Sequence, residues 1–271
     1  YNLVKGKTLN WDMRFNFNKM RNKVVKLPPS VTEYYIADTW LYTARGGLQL
    51  GGPTTSLTGS TYLRNNAGQI LINPANGLPI SSGGIYSRIG DRNPNFTLGW
   101  QNNIRWKSWR LSFLWDLKVG GDIFNGTNLF MSINGISKFT TDRFQPRVIQ
   151  GVLNDGLQNS SIPTVNTIAV IPAYNDSYYS GLPDEEFIER DVNWFRLRDI
   201  TLSYTFSKNF IKALKSLSVF ATGNDLILMT NYSGADPAVN GNTAAGRGVG
   251  AFGYDYGTLP APLSINFGVR A

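Results

Sequence analysis

The chain has 271 residues, and its 26 Lys and Arg against 18 Asp and Glu give it a formal net charge of +8. It contains neither Cys nor His, which excludes disulfides, thiolate nucleophiles, Cys/His zinc sites, Ser–His–Asp triads and imidazole acid/base catalysis within this sequence. The 28 glycines, the 13% aromatic content and the low charged fraction of 16% favour β structure with many turns.

The most informative pattern along the chain is the alternation of apolar and polar residues, which predicts strands whose two faces have different surroundings. It runs unbroken from residue 8 to residue 18, where every large apolar side chain falls on one face. A weaker alternation follows over 32–43, and strong ones return later. The seven predicted strands are 8–18, 32–43, 95–106, 110–119, 194–206, 217–230 and 263–270.

Two of these strands contain a break in the alternation. In 194–206 the apolar residues change parity at Arg198-Asp199, and in 217–230 they do so near Gly223-Asn224-Asp225. A shift of one residue would turn every later side chain to the other face. A β-bulge restores the facing, so we expect one in each of these strands.

The connections between the predicted strands alternate in length. The short ones are 20–31, 107–109 and 209–216, and the long ones are about 46–93, 122–188 and 231–257. Antiparallel neighbours leave a sheet at alternate ends. The strict alternation therefore places all three long loops at one end of the strands.

The aromatic residues and the loop content favour a membrane barrel over a water-soluble sheet. A soluble antiparallel sheet also has one polar face, so alternation alone does not decide. Here roughly half of the chain is loop, which is typical of outer-membrane barrels, and no apolar run reaches the roughly 18 residues of a spanning helix. Several aromatic residues also lie near strand ends, where interfacial girdles are expected: Trp100, Trp106, Trp109, Phe195 and Phe206.

The strand count indicates a barrel that is completed elsewhere. Bacterial outer-membrane barrels have an even number of strands, from about eight upward, because an open edge would leave backbone groups unpaired in hydrocarbon. The chain begins at Tyr1 without an initiator Met or a signal peptide. We therefore expect a processed piece or a part of something longer, with long loops outside the cell and short turns in the periplasm.

Several motifs stand in order along the chain. They are Asn16–Val24, Ile89–Gly99, Val119–Thr127, Trp194–Tyr204, Thr222–Leu226, Asn231–Pro237 and Asp255-Tyr256-Gly257 with Pro260. Together they resemble the motifs of SusC/RagA-type TonB-dependent transporters. The run Trp194–Tyr204 is similar to the penultimate-hairpin signature of this family, and the Asn/Lys-rich segment Asn16–Val24 is similar to one of its periplasmic turns.

This resemblance implies an all-β fold in which the chain is the C-terminal seven-strand portion, over 1–271, of a 22-stranded antiparallel barrel. It implies that a plug domain and a TonB-box lie upstream and are absent from this chain. The function implied is active import of oligosaccharides or peptides across the outer membrane of a Gram-negative bacterium of the Bacteroidota, as a multi-pass protein. The partners implied are a SusD-like lipoprotein lid, TonB–ExbB–ExbD and outer-membrane lipid.

The C-terminus departs from the expected pattern. Outer-membrane barrels tend to end in an aromatic residue, whereas this chain stops at Arg270-Ala271. Continuing the apolar face of the last strand beyond Ala271 leads us to expect an aromatic residue about two positions further on.

Aromatic and acidic residues of the long loops are the candidate contacts for a substrate or a lid. Tyrosine rings stack on sugars and on peptide side chains, and carboxylates accept hydrogen bonds from both. The alternative is that these residues pack the loops on one another, because loops of this length need small cores of their own. The candidates are Tyr174, Tyr178 and Tyr179, then Tyr232 with Asp236, then Tyr254, Asp255 and Tyr256.

The remaining charged residues favour structural roles. Arg196 and Arg198 are expected to form ion pairs on the lumen face. Asp184-Glu185-Glu186 with Glu189 suggests either a calcium site or a solvated acidic turn, and the absence of EF-hand spacing favours the turn. We expect no metal, no cofactor and no enzymatic activity.

The basic residues are scattered, which argues against a nucleic-acid platform. A mild cluster over 19–26 would lie at a periplasmic turn. Other basic residues fall on the lumen side of strands, where they would pair with Asp12 or Asp116 or face an anionic solute: Arg14, Arg105, Lys118 and Arg270.

Two other functions compatible with the pattern are a passive porin-like barrel and a soluble carbohydrate-binding β domain. A plug domain upstream would exclude the porin. A monodisperse monomer in the absence of detergent would exclude any membrane barrel, because the Trp/Phe face needs lipid.

Overall fold

A computed structural model describes residues 2–207, 210–211, 214–239 and 252–271, with the backbone alone for residues 2 and 36–40. Strands are the main regular structure of the described part. The strands are β1 (Asn2–Lys5), β2 (Leu9–Asn18), β3 (Tyr34–Leu41), β4 (Ala44–Leu48), β5 (Ser56–Gly59), β6 (Leu71–Ile72), β7 (Ser87–Asp91), β8 (Phe96–Trp106), β9 (Trp109–Val119), β10 (Ile123–Asn125), β11 (Arg147–Val148), β12 (Val152–Leu153), β13 (Ala169–Val170), β14 (Ile188–Glu189), β15 (Trp194–Thr205), β16 (Ser218–Thr230), β17 (Tyr254–Asp255) and β18 (Ser264–Arg270). The helices are α1 (Gly126–Ile133) and three 3₁₀ turns, Lys138–Thr140, Pro172–Tyr174 and Asp184–Phe187. No helix in these ranges has the length and apolar character needed to cross a bilayer.

The largest element is a seven-stranded sheet with the order β1-β2-β8-β9-β15-β16-β18. Each strand is antiparallel to its neighbours, which confirms the predicted all-β fold with a large antiparallel sheet.

One predicted member of this sheet is wrong. The segment expected at 32–43 does form strand β3, but β3 belongs to a separate sheet, β3-β4-β5-β7. The seventh strand of the large sheet is β1, whose four residues are too few to show an alternation. Alternation reports that a strand has two different faces, and it does not report which sheet the strand joins.

The register of the large sheet gives it one apolar and one polar face. Phe15 lies opposite Trp100, and Trp100 lies opposite Trp115. The rings of Phe15 and Trp100 stack with centroids 6.1 Å apart, and those of Trp115 and Phe195 stack at 4.3 Å. The side chain of Phe267 on the same face is 81% exposed. The apolar face therefore lies open to its surroundings, although it carries large rings.

The two predicted irregularities are confirmed. The register of β15 shifts between Leu197 and Asp199 against both of its neighbours. Strand β16 carries its own extra residue between Asn224 and Ile227, where Asp225 has a φ of 49°. In β15 the bulge keeps the apolar side chains on one face on both sides of residue 198.

The links between neighbouring strands of the large sheet sort by length to opposite ends. The short links are 6–8, 107–108 and 206–217, and the long ones are 19–95, 120–193 and 231–263. The basic cluster at 19–26 therefore lies at the long-connection end, and its expected place at one of the short turns is wrong. Its Arg21 donates from Nη2 to Asn95 Oδ1 at 3.1 Å, just before β8. The error arose because 32–43 was assigned to the large sheet as the strand after 8–18, which made 20–31 a short turn.

The long connections pack on one another in a common core. Leu57, Ile89, Phe124, Leu129 and Tyr254 come from all three connections and are almost fully buried. Gly121 starts one connection with a φ of 89°, and a Cβ there would lie 2.7 Å from the carbonyl oxygen of Arg92. This close approach of two connections explains the glycine pair in the Val119–Thr127 motif.

Candidate functional site

A cleft of about 590 Å³ opens among the long connections, between α1 and two later segments of the chain. Six of its thirteen lining residues carry amide or hydroxyl groups, but its exposed lining is mainly apolar and includes Met131 and the ring of Phe139. One ammonium group from Lys138 and one carboxylate from Asp255 also line it. Such a mixture suits a polar solute with an apolar face. The lining residues are Asn125, Thr127, Asn128, Met131, Ser137, Lys138, Phe139, Ser233, Gly234, Ala235, Asp255, Gly257 and Thr258.

Asp255 holds one side of the cleft together. Its Oδ2 accepts a hydrogen bond from the Tyr232 hydroxyl at 2.5 Å, and its Oδ1 accepts one from Thr127 Oγ1 at 2.8 Å. Burial, together with the charge of Asp255, raises the pKa of Tyr232. The hydroxyl thus stays protonated and donating. Asp255 joins the segment at 231–237 to α1, a contact that no local pattern in the sequence indicates.

Asp236 does not pair with Tyr232, although the two lie in one sequence motif. It forms a buried ion pair with Arg196 of β15 and accepts backbone hydrogen bonds from Ala238 N at 2.9 Å and Ala261 N at 3.2 Å. Burial alone would raise the pKa of Asp236, but the Arg196 guanidinium and the two amides outweigh it and hold that pKa below its usual range. Asp236 is therefore a charged anchor between a loop and a strand.

Tyr254 and Tyr256 differ in exposure. Tyr254 is fully buried, with its ring centroid 6.0 Å from that of Phe124, and burial raises the pKa of its hydroxyl. The ring of Tyr256 is 38% exposed and meets the ring of Phe130 of α1 edge-on at 5.1 Å. Tyr256 is thus accessible, whereas Tyr254 belongs to the core of the connections.

The third tyrosine group adjoins the cleft through Phe139. The ring of Tyr179 meets the ring of Phe139 at 6.0 Å, and Tyr178 packs edge-on against Tyr179 at 4.9 Å. Tyr178 is buried and accepts a long hydrogen bond of 3.5 Å from Arg147 Nη1. Tyr174 is 79% exposed.

The structure gathers the three predicted groups on one side of the molecule but does not expose them equally. Tyr174 and Tyr256 present open rings, whereas Tyr178, Tyr232, Asp236, Tyr254 and Asp255 are buried within the connections. The buried residues therefore position the loops, and contact with a substrate or a lid stays a prediction for all eight residues.

Sequence reasoning missed the residues that line the cleft itself. Asn125 caps α1 by accepting a hydrogen bond from Asn128 N at 2.9 Å, and it also donates to Glu189 Oε1 at 2.6 Å. The signal that was available is the run Asn125-Gly126-Thr127 before an apolar segment, which is typical of a helix N-terminus. Phe139 and Lys138 carry no such local signal.

The acidic run before β15 does not converge on a metal site within the described residues. Asp184 accepts a hydrogen bond from Thr43 Oγ1 at 2.7 Å and is buried, which raises its pKa despite its hydrogen bonds. Glu185 accepts from Arg64 at 3.1 Å, and Glu189 accepts from Ser233. Each carboxylate thus ties a different pair of segments together.

The polar face of the large sheet carries an ion-pair network at its long-connection end. Arg198 contacts Asp116 at 3.0 Å and Asp225 at 3.4 Å, and Arg196 contacts Asp225 at 3.3 Å as well as Asp236. The ion pairs expected for Arg196 and Arg198 are thus confirmed.

No protein-family model matches the chain. Among curated proteins it is similar to TonB-dependent receptor P3 and TonB-dependent receptor P26 of Formosa agariphila. Each is 23% identical over 292 residues, which cover 98% of this chain and 27% of the relative. The chain thus spans about a quarter of the length of these relatives.

Among solved structures the chain matches the RagAB peptide importer. Its open-open state gives a TM-score of 0.55 at 16% identity, over 93% of this chain and 26% of that one. The closed-closed state gives 0.53 at 17% identity, over 93% of this chain and 27% of that one. The fold is shared, and together with the receptor sequences it confirms the resemblance to SusC/RagA-type TonB-dependent transporters.

Proposed function

We propose that the chain, which resembles SusC/RagA-type TonB-dependent transporters, forms part of the wall of a TonB-dependent nutrient importer. The importer would be a multi-pass barrel in the outer membrane of a Gram-negative bacterium. The observation that carries this proposal is the large sheet with one exposed apolar face, rich in Phe and Trp, and one polar face. A sheet with these faces suits lipid on one side and a polar barrel lumen on the other.

The arrangement proposed for the whole protein extends beyond this chain. The chain would supply the C-terminal portion of a 22-stranded barrel, with a plug domain and a TonB-box upstream. The long connections would lie outside the cell, including the predicted loops 46–93, 122–188 and 231–257. A SusD-like lipoprotein would cover them, and TonB–ExbB–ExbD would supply energy.

The substrate proposed is an oligosaccharide or a peptide. The solved relative is described as a peptide importer, which supports the peptide. The cleft beside α1 supports either substrate, because its amide and hydroxyl groups hydrogen-bond to sugars and to peptide backbones alike. This chain would bind and guide the solute without covalent chemistry, and its exposed rings at Tyr174 and Tyr256 are the first candidates for contact with solute or lid.

Environment-sensitive labelling of the full-length protein in lipid vesicles tests the two faces. This segment contains no native Cys, so Phe267→Cys and Asn266→Cys introduce single labels on adjacent residues of β18 that face opposite ways. We expect the label at residue 267 to be quenched by nitroxide lipids and the label at residue 266 to be quenched by a water-soluble quencher. Equal quenching at both positions would contradict the proposal.

Uptake by cells separates active import from a passive pore. Growth on an oligosaccharide as sole carbon source, or on a peptide as sole nitrogen source, should stop when the TonB-box of the full-length protein is deleted. A passive barrel would continue to admit the solute. Whichever of the two nutrients depends on the box identifies the substrate class.

A further inference from the structure

The polar face of the large sheet has a second groove at its short-link end. The ion-pair network of Arg196 and Arg198 lies between this groove and the cleft. It encloses about 550 Å³ between β8, β9, β15, β16 and β18. Guanidinium and hydroxyl groups dominate its walls, and no described carboxylate lines it. The groups used below are Arg105, Arg110, Arg270, Ser203, Thr205 and Ser218.

Two arginines of this groove, on neighbouring strands, face one another without an ion pair to any described carboxylate. Arg105 of β8 lies directly opposite Arg110 of β9 in the register, and like charges in such a pair repel. Neither forms an ion pair within the described ranges, and both are exposed. Arg270 lies across the groove, with its guanidinium 5.7 Å from the ring centroid of Phe220. The arrangement thus concentrates positive charge that these side chains do not neutralise.

The hydroxyl groups complete a set of donors around this charge. Ser203 lies opposite Arg110, and Ser218 lies opposite both Thr205 and Arg270. Guanidinium groups bind carboxylates, phosphates and sulfates through paired N–H donors, and hydroxyls add further donors to the same oxygens. Because all of these groups stand on paired strands, their spacing is held by the backbone ladder.

The geometry points to an oxyanion-binding site that takes the sulfate, phosphate or carboxylate group of a small solute. The volume of the groove lies within the range of small-molecule sites, roughly 300–1,000 Å³. The inference rests on the proposed function in one respect: the polar face has to line the barrel lumen, where a solute reaches the groove when the plug moves aside. It deepens that function by assigning an anionic group to the imported solute.

Charge-selective thiol labelling of the full-length protein tests the site. Ser203→Cys places a thiol in the groove, and Ser264→Cys places the matched control on the same face at the opposite end of β18. Both variants are treated with an anionic and with a cationic methanethiosulfonate of equal size, after any cysteine elsewhere in the protein has been replaced by serine. We expect the anionic-to-cationic rate ratio to be about tenfold higher at residue 203 than at residue 264.

Two further measurements separate a binding site from a merely positive surface. Sodium sulfate or phosphate should slow labelling at residue 203 beyond the slowing produced by sodium chloride of equal ionic strength. In the Arg105→Gln/Arg110→Gln background, the rate ratio should fall to that of residue 264 and this specific slowing should vanish. Sulfate esters, phosphate esters and small carboxylates used as competitors identify which oxyanion binds best.

Three outcomes would overturn the inference. One is an equal rate ratio at both positions. Another is a high ratio that sulfate and phosphate do not reduce, which would leave a positive surface without a site. A third is a thiol at residue 203 that is unreactive in the folded protein, since an acidic part of the full-length chain would then already fill the groove. The lipid-quenching experiment on residues 266 and 267 is independent of all three, so failure of the site and failure of the barrel are distinguishable.

Discussion

Arginine side chains have opposite surroundings at the two ends of the polar face of the sheet. At the long-connection end Arg196 is only 2% exposed and is compensated by Asp225 and Asp236. At the short-link end Arg105 and Arg110 are exposed, face each other and form no ion pair among the described residues. A guanidinium buried by the chain has to be neutralised by the chain, because an unpaired buried charge costs several kcal/mol. A guanidinium left in water can remain available to something else.

The largest effect expected from this contrast follows loss of the buried pair. Asp236→Asn should lower the free energy of unfolding by up to about 3–5 kcal/mol, because it leaves the buried Arg196 with the Asp225 carboxylate alone. Thermal or denaturant unfolding of the full-length protein in detergent measures this loss. The control is Asp142→Asn, whose carboxylate is 60% exposed and pairs with Arg147 at 2.7 Å, and which should cost about 0–1 kcal/mol. Similar losses in both variants would show that burial does not distinguish these pairs.

The same anchor should make stability depend on acid. The folded-state pKa of Asp236 lies below its ordinary value, so the stabilisation is complete above about pH 4 and is lost as the pH falls through the lower folded value. The free energy of unfolding, measured between pH 6 and the lowest tolerated pH, should therefore fall less steeply with decreasing pH in Asp236→Asn than in the unmodified protein. Parallel curves for the two proteins would contradict a depressed pKa.

A smaller loss is expected at the hydrogen bond between Tyr232 and Asp255. Tyr232→Phe keeps the ring but leaves a buried carboxylate oxygen without its donor, which costs about 1–3 kcal/mol. Tyr174→Phe is the control, since Tyr174 is 79% exposed and should change the free energy of unfolding by less than about 0.5 kcal/mol. If Tyr232→Phe behaves like the control, Asp255 does not depend on this donor.

Most strands of the large sheet could be predicted because their two faces have different surroundings, which makes apolar and polar residues alternate along the sequence. Strand β2 alternates over its whole length, and the bulge at Arg198 shows as a change of parity, since both follow from a period of two. Strand β1 could not be found, because four residues carry too little pattern. Assigning β3 to the wrong sheet then reversed the placement of the basic cluster at 19–26.

The candidate site was predictable in composition but not in pairing. Aromatic and acidic residues in long loops mark the region, and the structure does gather Tyr232, Asp255 and Tyr256 near one cleft. The partner of Tyr232 is Asp255 and not Asp236, since contacts between residues far apart in the chain depend on how whole connections pack. Arg105 and Arg270 were predicted to face the lumen, but the opposition of Arg105 and Arg110 required the register of β8 against β9.

The smallest expected effect is a gain in the free energy of unfolding, and it tests the contrast between the two ends of the polar face most directly. Arg110→Gln removes a like charge directly opposite Arg105, so the free energy of unfolding should rise by about 0.2–1 kcal/mol. At the other end, Arg190→Gln removes a guanidinium that is 59% exposed and lies 3.9 Å from Asp122, which should give no gain and at most a slight loss. Unfolding at low ionic strength shows the difference best, and added salt should shrink it. If Arg110→Gln destabilises the protein without added anion, Arg110 serves the fold, and the contrast between the two ends of the face disappears. If it stabilises the protein and sulfate no longer slows labelling at residue 203, the repulsion between Arg105 and Arg110 is retained for anion binding at a cost in stability, as at other functional sites.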